Sequence, residues 1–421
     1  MSFVTISRFI TSEEADRYVE VPFQVASGME RIYVSIEVES HGPGDCVIDL
    51  GLKDTDQVRG WSGGARTEFY VELEKATPGY VPGYMVNGEW CVLLGTYRIP
   101  PAGCTVIVKV ACIPKEGRWL KGDLHMHTVH SDGALTLSEN ARIMEELGCD
   151  FLAMTDHNTY SQNLAYPHET GVVLIPGMEL TTNHGHANFL GVVKPVVDFR
   201  ATSSEQVQER IREARSNGAR VVLNHPHCPN CGWEWDWMVD YDWVEIWNGP
   251  WREANRKTLD WWHGQLCRGK RLIAVGGSDM HRFGSYVSHS SPTTWVYASS
   301  RTVDGILQGI DTGRVFLSYS PDGPVMELSA GKYNMGDVVP IDAPEREENV
   351  KLVLSGLLAG DEVKLISNQG VERSCIVYNE HSLELLGELA GRSFYRAEVW
   401  RYFVEVHEML LASVSNPLYM A

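Results

Sequence analysis

The chain has 421 residues, with 36 Lys and Arg against 55 Asp and Glu, a formal net charge of −19. That length exceeds one ordinary hydrophobic core and predicts two or three domains. The charge excludes nucleic acid as a general partner, because no basic run offsets the repulsion of a phosphate backbone; a small anionic substrate stays compatible, since metal ions would dominate the local field.

Nine cysteines, odd in number and scattered, do not make a disulfide framework. The first residues, Met1-Ser2-Phe3-Val4-Thr5-Ile6 with Arg8, Glu13, Glu14 and Asp16 following, lack a secretory hydrophobic core. No run of about 18 apolar residues occurs. The expectation is a soluble cytoplasmic protein without a membrane partner.

Residues 1–117 read as short strands. Arg31–Val38, Thr67–Leu73 and Thr105–Val110 alternate in polarity, separated by turns bearing Gly and Pro, which fits an antiparallel sandwich. His41-Gly42-Pro43-Gly44 and Gly88-Glu89-Trp90 read as turns. No catalytic cluster is visible, so a packing or substrate-shielding role is expected.

After Gly117 the period changes. A strand at Leu124–Thr128 is followed by Thr136-Leu137-Ser138-Glu139, a capping box, and a helical run over Asn140–Leu147. Phe151–Thr155 then stops at Asp156-His157, Val172–Ile175 leads to Gly177-Met178-Glu179, and His184-Gly185-His186 leads into Ala187–Val193. A charged amphipathic helix over Ser204–Ser216 precedes Arg220–Asn224, which stops at His225-Pro226-His227. Trp243–Trp247 stops at Asn248, a helix over Asn255–Cys267 follows, and Leu272–Gly277 stops at Ser278-Asp279-Met280-His281. This is an α/β succession of about seven strands with buried, continuously apolar runs.

Most of those strands carry His, Asp or Glu at the C-terminal end. Barrel-type α/β folds gather functional groups at that mouth. His125-Met126-His127 alone is weak evidence, although residues two apart share a face when extended. The recurrence of potential ligands at the ends of about five successive strands points to metal binding. Imidazole and carboxylate suit Zn²⁺, Mn²⁺ or Fe²⁺, and the absence of cysteine among these groups argues against a closed structural zinc site.

Asp123-Leu124-His125-Met126-His127-Thr128 with Ser131-Asp132-Gly133, Thr155-Asp156-His157, Gly177-Met178-Glu179, Asn224-His225-Pro226 and Gly277-Ser278-Asp279-Met280-His281 resemble the PHP (polymerase and histidinol phosphatase) superfamily. Within it, the first motif, the flanking β-regions and Ser415-Asn416-Pro417-Leu418-Tyr419 are similar to the CehA/McbA-like hydrolase branch. The resemblance covers residues 118–320 and implies a distorted (β/α)7 barrel holding two or three divalent metal ions. It implies His125, His127, Glu179 and Asp279 on one ion. Glu179 would bridge to a second ion completed by His225 and either His184 or His186. His186 is favoured because it leads directly into the next strand, leaving His184 either to support a ligand from behind or to face substrate. Asp132, His157 and His281 would hold a third ion.

Two ions sharing Glu179 would supply hydroxide at neutral pH for attack on phosphorus or a carbonyl. The favoured activity is hydrolysis of a small-molecule phosphoester; carboxyl ester or carbamate hydrolysis is the alternative, and a non-catalytic metal-stabilised scaffold the second. Asp156 is read as orienting a ligand or water, and Arg282 as either a phosphate clamp or a solvated surface arginine.

Cys228-Pro229-Asn230-Cys231 is either a loop with two ordinary thiols or a local metal or disulfide site, without a second Cys or His pair at finger spacing. His168 and His227 read as bystanders. Eight of the 13 tryptophans fall between Trp233 and Trp262, either as an aromatic wall for an apolar or ring-bearing substrate or as core packing. Beyond Pro321 a small β-rich module over 321–421 is expected, with strands at Val350–Leu354, Glu362–Ile366 and Arg396–Trp400 and an exposed loop over Asp342–Asn349.

Overall fold

The computed structural model describes residues 2–167, 170–284, 286–340 and 348–421. His168 and positions 342–347 of the expected loop lie outside them. The chain divides into two compact units, Met1–Gly117 and Arg118–Ala421.

The first unit is all-β. Strands β1 (Ser2–Ile10), β2 (Tyr18–Val25), β3 (Met29–Ser40), β4 (Val47–Lys53), β5 (Val58–Trp61), β6 (Glu68–Glu72), β7 (Gly88–Arg98) and β8 (Cys104–Pro114) form two four-stranded sheets, ordered β1-β8-β3-β6 and β2-β7-β4-β5. Alternate residues of both sheets, among them Ile32 and Val34 of β3, Val106 and Val108 of β8, Leu50 of β4 and Val92 and Leu94 of β7, share one core. Each strand thus buries one face in the sandwich. The turn expected at Gly88-Glu89-Trp90 is instead the start of β7. Gly88, at φ +147°, admits the chain, and Trp90 is fully buried.

The second unit is mixed α/β with a large sheet. In chain order it contains β9 (Arg118–Asp123), α1 (Leu137–Glu146), β10 (Phe151–Met154), β11 (Val173–Thr182), β12 (Gly185–Leu190), α2 (Ser204–Ser216), β13 (Arg220–Leu223), β14 (Trp243–Asn248), α3 (Glu253–Cys267), β15 (Ile273–Gly277), β16 (Thr293–Ala298), α4 (Val303–Asp311) and β17 (Val315–Ser318). Sheet neighbours run β15-β14-β13-β12-β11-β10-β9-β16-β17. Within β9–β15 only β12 runs against its neighbours; the other pairings are parallel. All four residues of β10 and all six of β14 are buried, as expected for strands covered on both faces.

The helices follow their sequence signals. Thr136 caps α1 in a capping box with Glu139, and α1 buries Leu137, Ala141 and Met144 at helical spacing. Ser203 caps α2, which buries Val207, Ile211 and Ala214; full burial of such a valine or isoleucine is worth about 1.5–3 kcal/mol.

Three features of this unit depart from the sequence reading. The first strand ends at Asp123, so Leu124–Thr128 lies beyond it. There the Asp279 N–H donates to His125 O (2.8 Å) and the His127 N–H to Met280 O (3.1 Å), joining the chain after β9 to the chain after β15. Strands β16 and β17 and helix α4 escaped the sequence reading, although Thr302 at the N-cap and apolar residues at 303, 306, 307 and 310 mark α4. The residues after 320 belong to the second unit: Glu408–Ser415 pairs with β17, and Phe394–Phe403 and Glu362–Ser367 continue the same sheet.

Candidate metal centre

Strand ends set the site. Asp123, wholly buried at the end of β9, accepts the backbone N–H groups of His125 (3.1 Å), Ser278 (3.0 Å) and Ser290 (2.9 Å). One carboxylate thereby fixes three chain segments, and burial, partly offset by these hydrogen bonds, pushes it up to about 6. Gly277 permits the approach, since a Cβ there would lie 2.3 Å from His125 Cβ. His225 and Asp279 have positive φ (28° and 54°), a conformation costly for residues other than glycine and typical of functional sites.

Glu179, on β11 and fully buried, is the hub. Its carboxylate oxygens lie 3.3 Å from His125 Nε2, 3.6 Å from His127 Nε2, 2.7 Å from His157 Nδ1, 3.2 Å from His186 Nδ1 and 3.6 Å from His225 Nε2. The Asn224 amide donates to Oε1 (2.8 Å) and orients it. Pairing of β11 with β12 places Thr181 opposite His186 and Glu179 opposite Asn188, which puts His186 on the hub's face. His184, in the turn before β12, instead makes an exposed pair with Glu234 (2.8 Å).

Four ligand groups converge here, each with its atoms within 4.8 Å of one another: His125, His127 and Asp279; Glu179, His186 and His225; His127, Asp132, His157 and His281; and His125, His225 and Glu245. The Asp279 carboxylate is 3.0 Å from His127 Nε2 and 3.4 Å from His125 Nε2. His281 donates Nδ1–H to Asp279 O (2.8 Å), so its Nε2 faces His157 Nε2 (3.4 Å) and Asp132 (3.3 Å).

The electrostatics suit cations. Burial opposes charge on His125, but Asp279, Glu245 and Glu179 outweigh it and hold its pKa well above the ordinary value. Burial alone would raise Glu179 and Asp279, yet the surrounding histidines, His125 foremost, hold both well below the carboxylate range. His127 is lowered by burial.

Both ring nitrogens of His127 and Nε2 of His125 are buried without a hydrogen-bond partner, and Oε2 of Glu179 has the close approach of His157 Nδ1 (2.7 Å). Such orphaned groups are costly unless something binds them. Divalent ions fit them: His125 donates Nδ1–H to Glu245 (2.9 Å), which frees Nε2 as a ligand and fixes its tautomer.

Glu245 escaped the sequence reading. It is buried on β14, accepts from His125 Nδ1, from the His225 N–H (2.8 Å) and from Asn248 Nδ2 (3.2 Å), and so holds two would-be ligands. The signal was present, a lone acid inside the otherwise apolar run Trp243–Trp247. Asp123 and Asn224 were likewise quoted only within motifs.

Other expected site residues sit differently. The Asp156 carboxylate accepts from Thr128 N (2.8 Å), Thr128 Oγ1 (2.9 Å) and Ser131 Oγ (2.7 Å), so it shapes the loop carrying Asp132, while its backbone carbonyl accepts from the Glu179 N–H (3.2 Å). Arg282 is exposed and donates to Asp132 O (3.2 Å). The tryptophans serve mainly as core: Trp233, Trp243, Trp247 and Trp262 are buried, and Trp235, Trp237, Trp251 and Trp261 pack on the same cluster. Trp235 donates to Thr182 Oγ1 (2.9 Å) and meets His184 edge-on at 5.0 Å. His227 is occupied by Thr258 (3.1 Å).

No family model matches the chain. A segment of 41 residues, 10% of this chain, is 46% identical to the DNA polymerase/3'-5' exonuclease PolX of Bacillus subtilis (strain 168), of which it spans 7%. Among solved structures, the chain is similar to a two-domain protein of Bacteroides vulgatus ATCC 8482 containing a predicted PHP-like metal-dependent phosphoesterase. The match covers 71% of this chain and 95% of that one, at 19% identity and TM-score 0.41. It is also similar to an amidohydrolase of Chromobacterium violaceum, over 40% of this chain and 89% of that one, at 16% identity and TM-score 0.31.

Proposed function

We propose that the second unit is a metal-dependent hydrolase of PHP type acting on small-molecule phosphoesters. The observation that carries this reading is Glu179, a fully buried carboxylate within 3.6 Å of five histidine rings, beside which both ring nitrogens of His127 and Nε2 of His125 have no hydrogen-bond partner. Charged groups are not gathered at such desolvation cost without a cation to compensate them.

His125, His127, Glu179 and Asp279 would hold one divalent ion, Glu179, His186 and His225 a second, and Asp132, His157 and His281 a third. Zinc, manganese and iron all suit these donors. When bound, the ions supply Lewis acidity and lower the pKa of water. The chain's own part is positional. Glu245 holds the His125 ring and the His225 backbone, Asn224 aims Glu179, and Asp123 ties the strand ends together, so the ligands need little reorganisation. The half-exposed Asp132 and exposed Arg282 leave this side of the cluster open to solvent. Arg282, released from Asp132 O, would clamp an incoming phosphoryl oxygen, and His184 would face the bound substrate.

The test compares p-nitrophenyl phosphate, bis-p-nitrophenyl phosphate and p-nitrophenyl acetate after loading with Zn²⁺, Mn²⁺ or Fe²⁺. Metal-dependent turnover of a phosphoester is expected. Cleavage of the acetate alone overturns the phosphoesterase reading in favour of an ester or carbamate hydrolase. Fewer than about two ions per chain with no turnover favours a scaffold.

A further inference from the structure

His225 has two faces. Its Nε2 points to Glu179, while its Nδ1 lies 3.7 Å from the Cys231 Sγ, and the Cys231 and Cys228 sulfurs are 2.7 Å apart. These three groups form a cluster with ligand atoms within 4.8 Å of one another. Both cysteines are free and half-buried, so solvent reaches them.

The segment between them is folded to make the sulfurs converge. The Cys228 N–H donates to His225 O (2.8 Å) and the Trp233 N–H to Pro226 O (2.9 Å), closing the loop at both ends. Gly232 follows the pair where a Cβ would meet Cys228 O at 2.6 Å and Pro226 O at 2.9 Å, so only glycine lets the chain turn back so tightly. Trp233, buried just beyond, anchors the turn to the core. Two ordinary thiols need none of this; a chelating pair does.

We propose that Cys228, Cys231 and His225 Nδ1 form a separate binding site for a thiophilic divalent cation such as Zn²⁺. Two thiolates at Cys-x-x-Cys spacing with one imidazole match the donor preference of zinc, and the three protein ligands leave a further position open. Binding breaks two S–H bonds, forms two metal–sulfur bonds and releases two protons, with no change of oxidation state. The site shares His225 with the proposed second ion, through the opposite ring nitrogen, while both sulfur ligands lie outside the carboxylate cluster, so thiolate binding is tested separately from hydrolysis. Where cations bind both faces of His225, the ring has also lost its remaining N–H proton, so occupancy of the thiol site acts directly on a ligand of the neighbouring cluster.

The experiment uses the full chain, reduced and stripped of metal. Titration with Co²⁺ is expected to produce a near-ultraviolet thiolate-to-cobalt absorption band that C228S and C231S each weaken and the double variant loses. Cobalt in the carboxylate and imidazole cluster cannot give that band. A second readout needs no variant: alkylation of the native chain followed by peptide mass analysis, with and without Zn²⁺. Cys228 and Cys231 should react about 100-fold more slowly at a zinc concentration about 100 times the Kd. Unchanged alkylation of both cysteines overturns the proposal, as does a cobalt band that survives in the double variant. Recovery of the pair as a disulfide, two hydrogens lighter, from zinc-loaded protein kept in reductant overturns it as well.

Discussion

Replacing Glu245 by Gln tests whether the ligands are pre-positioned from outside the cluster. The carboxylate accepts from His125 Nδ1 at 2.9 Å through one oxygen and from the His225 N–H at 2.8 Å and Asn248 Nδ2 at 3.2 Å through the other. An amide offers one accepting oxygen. If that oxygen keeps His225 and Asn248, its NH₂ faces His125, which must then move its proton from Nδ1 to Nε2 and lose the lone pair directed at Glu179 and Asp279. If the amide is reversed, two buried donors at His225 and Asn248 face an NH₂ group. Either way a charge-assisted hydrogen bond worth about 1.5–3 kcal/mol is lost. Loss of such a supporting partner weakens metal affinity roughly 10- to 100-fold, or about 1.4–2.7 kcal/mol. Competition against a chromophoric chelator measures this directly, with far-ultraviolet circular dichroism as the control for folding. Wild-type metal affinity in a folded E245Q chain would refute the reasoning, and would mean that His125 is oriented by other contacts.

Divalent metal should stabilise the fold, because it binds orphaned buried groups that the unfolded chain exposes to water. At about 100 times its Kd the ion adds about 2.7 kcal/mol, a rise in Tm of roughly 4 °C for a unit as long as Arg118–Ala421; a melting curve indifferent to Zn²⁺, Mn²⁺ and Fe²⁺ would contradict the metal assignment. His289 gives a pH signature. Burial lowers its pKa to about 4, and its Nε2–H donates to Asn140 on α1 (2.8 Å). Between its ordinary pKa of about 6.5 and about 4, the unfolded chain takes up a proton that the folded chain refuses. Stability is therefore lost as pH falls through that window, by at most roughly 3 kcal/mol. H289Q, which keeps a donor to Asn140, should flatten that slope in urea titrations at pH 7 and pH 5; an equal slope in both proteins would assign it to other groups.

Sequence alone carried the local rules. Thr136 with Glu139, the 203–216 periodicity, the unbroken apolar run at 151–154 and the run at 243–247, interrupted only by Glu245, specify their elements because capping and burial act over a few residues. Candidate ligands were legible as polar residues interrupting those runs at their ends. What the sequence lacked is any statement of which side chains meet across long separations. His125 meets Glu245 over 120 residues, and Asp123 meets Ser278 and Ser290 over 155 and 167. Only the tertiary structure separates His186 from His184, because that difference lies in the register of β11 against β12 and in where the turn begins. It likewise sets the Asp156 carboxylate on Thr128 and Ser131, assigns most tryptophans to the core, and joins Glu408–Ser415, Phe394–Phe403 and Glu362–Ser367 to the central sheet while Asn349–Ser355 and Ser382–Glu388 pair in a separate one. Propensity and polarity act along the chain, whereas a metal centre is a convergence in space, and convergence is fixed by sheet register, strand order and hydrogen bonds between distant segments.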